Sequence, residues 1–170
     1  MANEVYTRTN QALHFARWSL ASWRQATESG ALDAVTQARY HREHVVFHLY
    51  RAVLAVIHEV ADRYRWPLLD VRTVEQVLDG RVAERYPGPE LAELNELALH
   101  KETWLAGLLA AWQQLQAPPK PQESKPRADE QIIASSALEP AKEWGLAQAE
   151  EALAALNERV SCYRDGMQEW

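Results

Sequence analysis

Apolar residues recur along most of this 170-residue chain at intervals of three and four, the period of a helix buried on one side. Tyr6, Leu13, Ala16, Leu20 and Trp23 carry the pattern through a stretch without Gly or Pro, which predicts a first helix over about 5–28. Ser29-Gly30 interrupts it. Leu32 to Arg65 again lacks Gly and Pro and predicts the longest helix, about 32–65. Its apolar positions, from Val45, Val46, Leu49 and Tyr50 to Val53, Val56, Ile57 and Val60, cover more than a third of a helical wheel. This helix is therefore expected to be the most buried. Pro67 stops it, because the residue before a proline is pushed out of the α region.

Beyond Pro67, Asp70 is a suitable N-cap for a short helix over about 71–79, with Val71, Val74, Val77 and Leu78 on one side and Gly80 to end it. Pro87-Gly88-Pro89 breaks the chain, and a helix over about 90–116 follows, with Pro89 where a helix tolerates proline. Its apolar row runs from Leu91, Leu94 and Leu97 to Leu105, Leu108, Trp112 and Leu115. The last helix, about 140–168, carries Leu146, Ala149, Leu153, Leu156, Val160, Tyr163 and Met167 in strict steps of three and four, the seam of a helix packed in one groove. Between these two, residues 117–131 hold Pro118, Pro119, Pro121 and Pro126 among polar residues and read as a flexible linker. Ile132 and Ile133 follow it and are expected to plug a bundle end. The prediction is an all-α fold: a four-helix bundle forming one domain over 1–170, with a short extra helix and the proline-rich linker inside it.

Composition narrows the class. With 47% hydrophobic and 25% charged residues the chain is globular in type, and its one cysteine, Cys162, excludes a disulfide framework within the chain. No apolar run of about 18 residues and no basic, apolar leader over Met1 to Ala12 stand out, so a cytoplasmic protein without membrane contact is expected. Charge divides unevenly. Up to Trp66 there are eight Arg and no Lys against six carboxylates, with five of the six His; the remainder carries ten basic against eighteen acidic residues. A pI of about 5.5 and an acidic second half disfavour nucleic acid as a partner, since phosphate binding leaves a dense basic stripe.

The densest polar constellation is His41, Glu43, His44, His48, Arg51 and His58 on the second helix. His41, His44 and His48 project from one side, as helical metal ligands do, with His14 or His100 as further donors from other helices. A solvated histidine face explains the same spacing. A divalent metal is the one cofactor these residues suggest. Di-iron bundles need Glu-x-x-His pairs, and Glu96 with His100 is one residue too long. Arg39 to His44, Arg42 to His48 and Arg51 to His58 are spaced as in the Arg-x(4 to 6)-His motif of HEPN ribonucleases, which they resemble, although so many Arg and His in twenty residues make such pairs commonplace. Cys162 beside the last seam is expected to be a half-buried, inert thiol. Trp18 and Trp23, Trp104 and Trp112, and Trp144 either fill the gaps between helices or line a site for a ligand or partner.

The segments VYTRTNQALHFA, FHLYRAVLAVIHEVADRYRWP and MQEW resemble a family of uncharacterised helical proteins from Pseudomonas and related gammaproteobacteria. The resemblance implies a helical bacterial protein and supplies no catalytic residues. The excess of Arg over Lys, fourteen to four, fits a GC-rich genome. Together these features lean away from catalysis and toward a bundle that binds a protein partner or itself in an aromatic-lined groove beside the last helix.

Overall fold

The structure, a computed structural model, describes residues 2–118 and 144–168. Among them every regular element is helical, as predicted. Two long helices, α1 (Ala2–Glu28) and α2 (Ala34–Tyr64), form an antiparallel hairpin and make the most extensive contact in the molecule. Helix α5 (Trp104–Gln116) lies against α2, and α6 (Leu146–Gln168) against α1, α2 and α5. These four make the bundle, with α1 and α5 at opposite corners. Two shorter helices, α3 (Val82–Arg85) and α4 (Pro89–Leu99), cap one side through α4 packing on α5 and α2.

The core follows the apolar rows of the sequence. Leu13, Ala16, Leu20 and Trp23 of α1, Val45 to Val60 of α2, Leu105 and Leu108 of α5, and Ala149 to Tyr163 of α6 all fall in one buried cluster. By length and composition, among the described residues, only α2 could cross a membrane, and 67% of that apolar window is buried within the protein. Its hydropathy is spent on the core.

Three expectations are corrected. The single helix over 90–116 is two helices, because Thr103 caps α5 by accepting a hydrogen bond from Ala106 N at 3.2 Å while its hydroxyl donates back to the carbonyl of Leu97. His100 takes an extended conformation between them. The helix over 71–79 shrinks to one 3₁₀ turn, Val74–Gln76. Side chains hold that segment instead: Gln76 Oε1 accepts from the backbone N–H of Arg72 and Thr73, and the Tyr50 hydroxyl accepts from Val74 N at 2.9 Å. The last helix starts at Leu146, after the non-helical Trp144 and Gly145, with Gly145 N donating to Gln148 Oε1 at 3.0 Å in the reciprocal half of a capping box, while 140–143 of the predicted span lie outside the described residues. Most of the linker, from 119 to 131, and the pair Ile132–Ile133 lie outside the described residues.

Opposite charges tie the N-terminal hairpin to the last helix. Arg24 pairs with Glu150 and Arg17 donates to Asn157, both across α1 and α6. Arg164 of α6 grips Glu59 of α2 with two bonds of 2.7 and 2.9 Å, and its guanidinium lies 3.9 Å from the centre of the Tyr6 ring. Of these contacts, Arg24–Glu150 sets a cation of the near-neutral first half against a carboxylate of the acidic second half.

Candidate functional site

The five tryptophans do not share a site. Trp23 and Trp144 are buried and stacked at 6.2 Å between α1 and the start of α6. Trp112 is half-buried and stacks on Tyr50 at 4.3 Å, an interhelical contact of α5 with α2. Trp104 and Trp144 line an open cleft of about 410 Å³ between α5 and α6, together with Gly107, Ala111 and Gln148. This is the groove beside the last helix, and it holds two of the five. Trp18 stands apart, 66% exposed on the outer side of α1. A second cleft, about 530 Å³, opens on the other side of Trp144, where Arg39 and Arg42 sit with Trp23 and Val35.

The histidines separate in the same way. His58 is buried, its Nε2 2.9 Å from the Val71 carbonyl, which makes it a pin between α2 and the loop folded over it. Burial lowers its proton affinity, and Arg8 and Arg72 push in the same direction. His41, His44 and His48 remain half-exposed in a row on α2, with successive ring centres 6.3 Å apart. Among the described residues no three of His, Cys, Asp and Glu converge to enclose a metal. His14 joins the row through rings, and His100 sits exposed at the end of α4. The arginines of the Arg-x-His pairs point elsewhere: Arg42 Nε donates to the Trp144 carbonyl at 3.0 Å, and Arg51 lies over the Phe47 ring at 5.7 Å. Cys162 is exposed, not half-buried.

What the fold brings together is a network of ten rings that runs from the surface to the buried Tyr50. From Trp18 it passes to His14, Phe15 and His48, then divides to His44, Tyr40 and His41 on one side and to Phe47, Trp112 and Tyr50 on the other. It spans α1, α2 and α5. Trp18, Tyr40 and Phe47 are 66%, 56% and 39% exposed, so the face presents large rings to solvent. Within the stretch from Gln37 to Arg51, the α2 residues within about 60° of His44 on the helical wheel are Gln37, Tyr40, His41, Phe47, His48 and Arg51, and none of these is a carboxylate. His48 is wedged edge-on against Phe15 and Phe47 at 5.4 and 5.2 Å, with its Nδ1 buried and unpartnered. Burial, with His44 and Arg51 nearby, lowers its proton affinity.

Phe15, Tyr40 and Phe47 are the members that the sequence pattern left unremarked. Tyr40, His44 and Phe47 do stand at i, i+4 and i+7, a helical row outside the apolar stripe, and that is the signal that marks them.

The fold and this face define an all-helical bundle with large aromatic rings on its outer surface. The chain belongs to a family of unknown function (DUF6586), whose model matches residues 1–170. No curated protein and no solved structure matches it.

Proposed function

We propose that this protein is a non-enzymatic binding module that takes a protein partner on the ring face of α1 and α2, rather than in the groove beside the last helix. The observation that carries the reading is the continuous network of rings with Trp18, Tyr40 and Phe47 exposed to solvent, since contiguous apolar surface rimmed by polar groups marks interaction sites. Aromatic side chains with an adjacent Arg are also the residues that dominate binding energy at interfaces. The partner chemistry follows from charge. Between Gln37 and Arg51 the strip around His44 carries Arg51 and imidazole rings but no carboxylate, so it fits an amphipathic helical segment bearing acidic side chains among apolar ones.

A photoreactive amino acid placed at Trp18 in the cell tests this. The expected result is one dominant adduct whose crosslinked peptide is acidic and helically patterned, lost on Phe47→Ala and absent when the photoreactive group is at Glu158. An adduct with a second copy of this chain, a basic peptide, or equal yields at both positions would overturn the reading.

A further inference from the structure

The ring face carries a second capability that does not depend on a protein partner. We propose that His44 and His48 form a two-point clamp for a divalent transition-metal ion of the zinc or nickel class.

The two histidines stand at i, i+4, the spacing by which a helix presents two imidazoles to one ion. Two nitrogens bound at about 2.0–2.1 Å with tetrahedral geometry place the ring centres about 5 Å apart. The observed 6.3 Å is close enough for rotation of the half-exposed His44, away from the Tyr40 ring it meets at 4.1 Å, to bring the pair together. His48 is the anchored half: Phe15 and Phe47 hold its ring edge-on, and with Nδ1 sealed from water its outward nitrogen is Nε2. A ring already held loses less freedom on binding. Phe15 and Phe47, the rings that hold His48 edge-on, have no hydrogen-bonding group to compete for that nitrogen.

The same geometry limits the site to two protein ligands. His41 is seven residues from His48, about 10.5 Å along the helix, too far for both to reach one ion. With no third His, Cys, Asp or Glu converging on the pair among the described residues, the remaining coordination positions belong to water or to a group brought from outside. That distinguishes this clamp from a closed structural zinc site, which has four protein ligands. Imidazole donors suit zinc, copper and nickel, whereas magnesium and calcium need oxygen ligands.

Titration calorimetry of the full chain, purified without a histidine tag, with nickel and then zinc chloride decides the matter. The expected result is one ion per chain with micromolar affinity, at least tenfold weaker in His44→Gln and in His48→Gln, unchanged within threefold in His41→Gln, and no response to magnesium. Circular dichroism of each variant establishes that the helices are retained. Copper added to the wild type provides a second readout, its electron paramagnetic resonance spectrum showing two imidazole nitrogens. Absence of zinc and nickel uptake by the wild type, or undiminished uptake by a folded His44→Gln, would overturn the clamp. Neither result bears on the partner adduct at Trp18, so the two proposals fail separately.

Discussion

The two halves of α2 are one uninterrupted helix and behave as two different materials. Every buried residue of α2 lies between Val45 and Ala61, while Ala34 to His44 contribute none. The later half runs through the middle of the bundle, touched by α1, α5 and α6 and covered by the loop that carries the 3₁₀ turn. The earlier half has α1 on one side and rings open to solvent on the other. Residue types repeat across this divide with opposite fates: Tyr50 is buried and Tyr40 exposed, His58 is buried and His44 half-exposed. Chemistry alone therefore does not assign a role to a tyrosine or histidine here. Its partners do, and the partners differ because α5, the later part of α6 and the loop with the 3₁₀ turn pack on the later half, where every buried residue of α2 lies.

The largest expected effect separates the halves by packing. Leu49 is fully buried, and Leu49→Ala is expected to lower unfolding free energy by about 2–5 kcal/mol, as deletion of a core side chain does. His44→Ala is expected to stay within about 0.5 kcal/mol, the range of ordinary surface changes. Urea denaturation of both variants checks this. A loss at His44 comparable to that at Leu49 would mean that the ring face is held as rigidly as the core, and the division would fail.

A smaller effect separates the tyrosines. The Tyr50 hydroxyl donates to Glu75 Oε2 at 2.6 Å and accepts from Val74 N, and both burial and Glu75 raise its pKa strongly. Tyr50→Phe leaves a buried backbone N–H without its acceptor and is expected to cost about 1–3 kcal/mol. In Tyr40→Phe the hydroxyl lost is on an exposed ring, and the cost is expected below about 0.5 kcal/mol. Hydrogen exchange at Val74 provides the local measurement: its amide should lose protection in the first variant and keep it in the second.

The same divide explains what could be read from the sequence. Helices α1, α2 and α6 were legible because each buries one continuous row, and the steps of three and four record that burial directly. The break at 100–103 was not, since Leu97 and Leu105 belong to one apolar row in the sequence while the turn between them is set by a single threonine hydroxyl. Valines at 71, 74 and 77 imitate a helical face, but the segment is organised by Tyr50, more than twenty residues away. The histidine row on α2 was visible as a one-sided cluster. Its extension through Phe15 to Trp18 depends on the register of α1 against α2, and the stack of Trp23 on Trp144 joins residues from opposite ends of the chain. Periodicity identifies the face of a helix and is silent on which other helix meets it.

The smallest expected effect is the most discriminating, because it asks one residue type to behave in two ways. Burial favours the neutral form of His58, and Arg8 from α1 and Arg72 from the loop act in the same direction, against the opposing pull of its Nε2–H bond to the Val71 carbonyl. In the folded protein its pKa lies below the ordinary value, whereas the unfolded chain protonates it near about 6.5. Below that pH the unfolded state binds more protons than the folded state, so stability falls as pH falls, by at most about 1.4 kcal/mol per pH unit from this group, until the folded state protonates too. At neutral pH and above, the contribution is flat. His58→Gln retains an N–H donor for Val71 and removes the titration, so the loss of stability between about pH 7 and pH 5.5 should shrink relative to the wild type. His44→Gln serves as the comparison, since its ring meets water in both states. Urea midpoints at the two pH values give the result. If the His44 variant flattened the pH dependence and the His58 variant did not, the titrating histidine would lie on the ring face, and the assignment of His58 as the buried pin would be wrong.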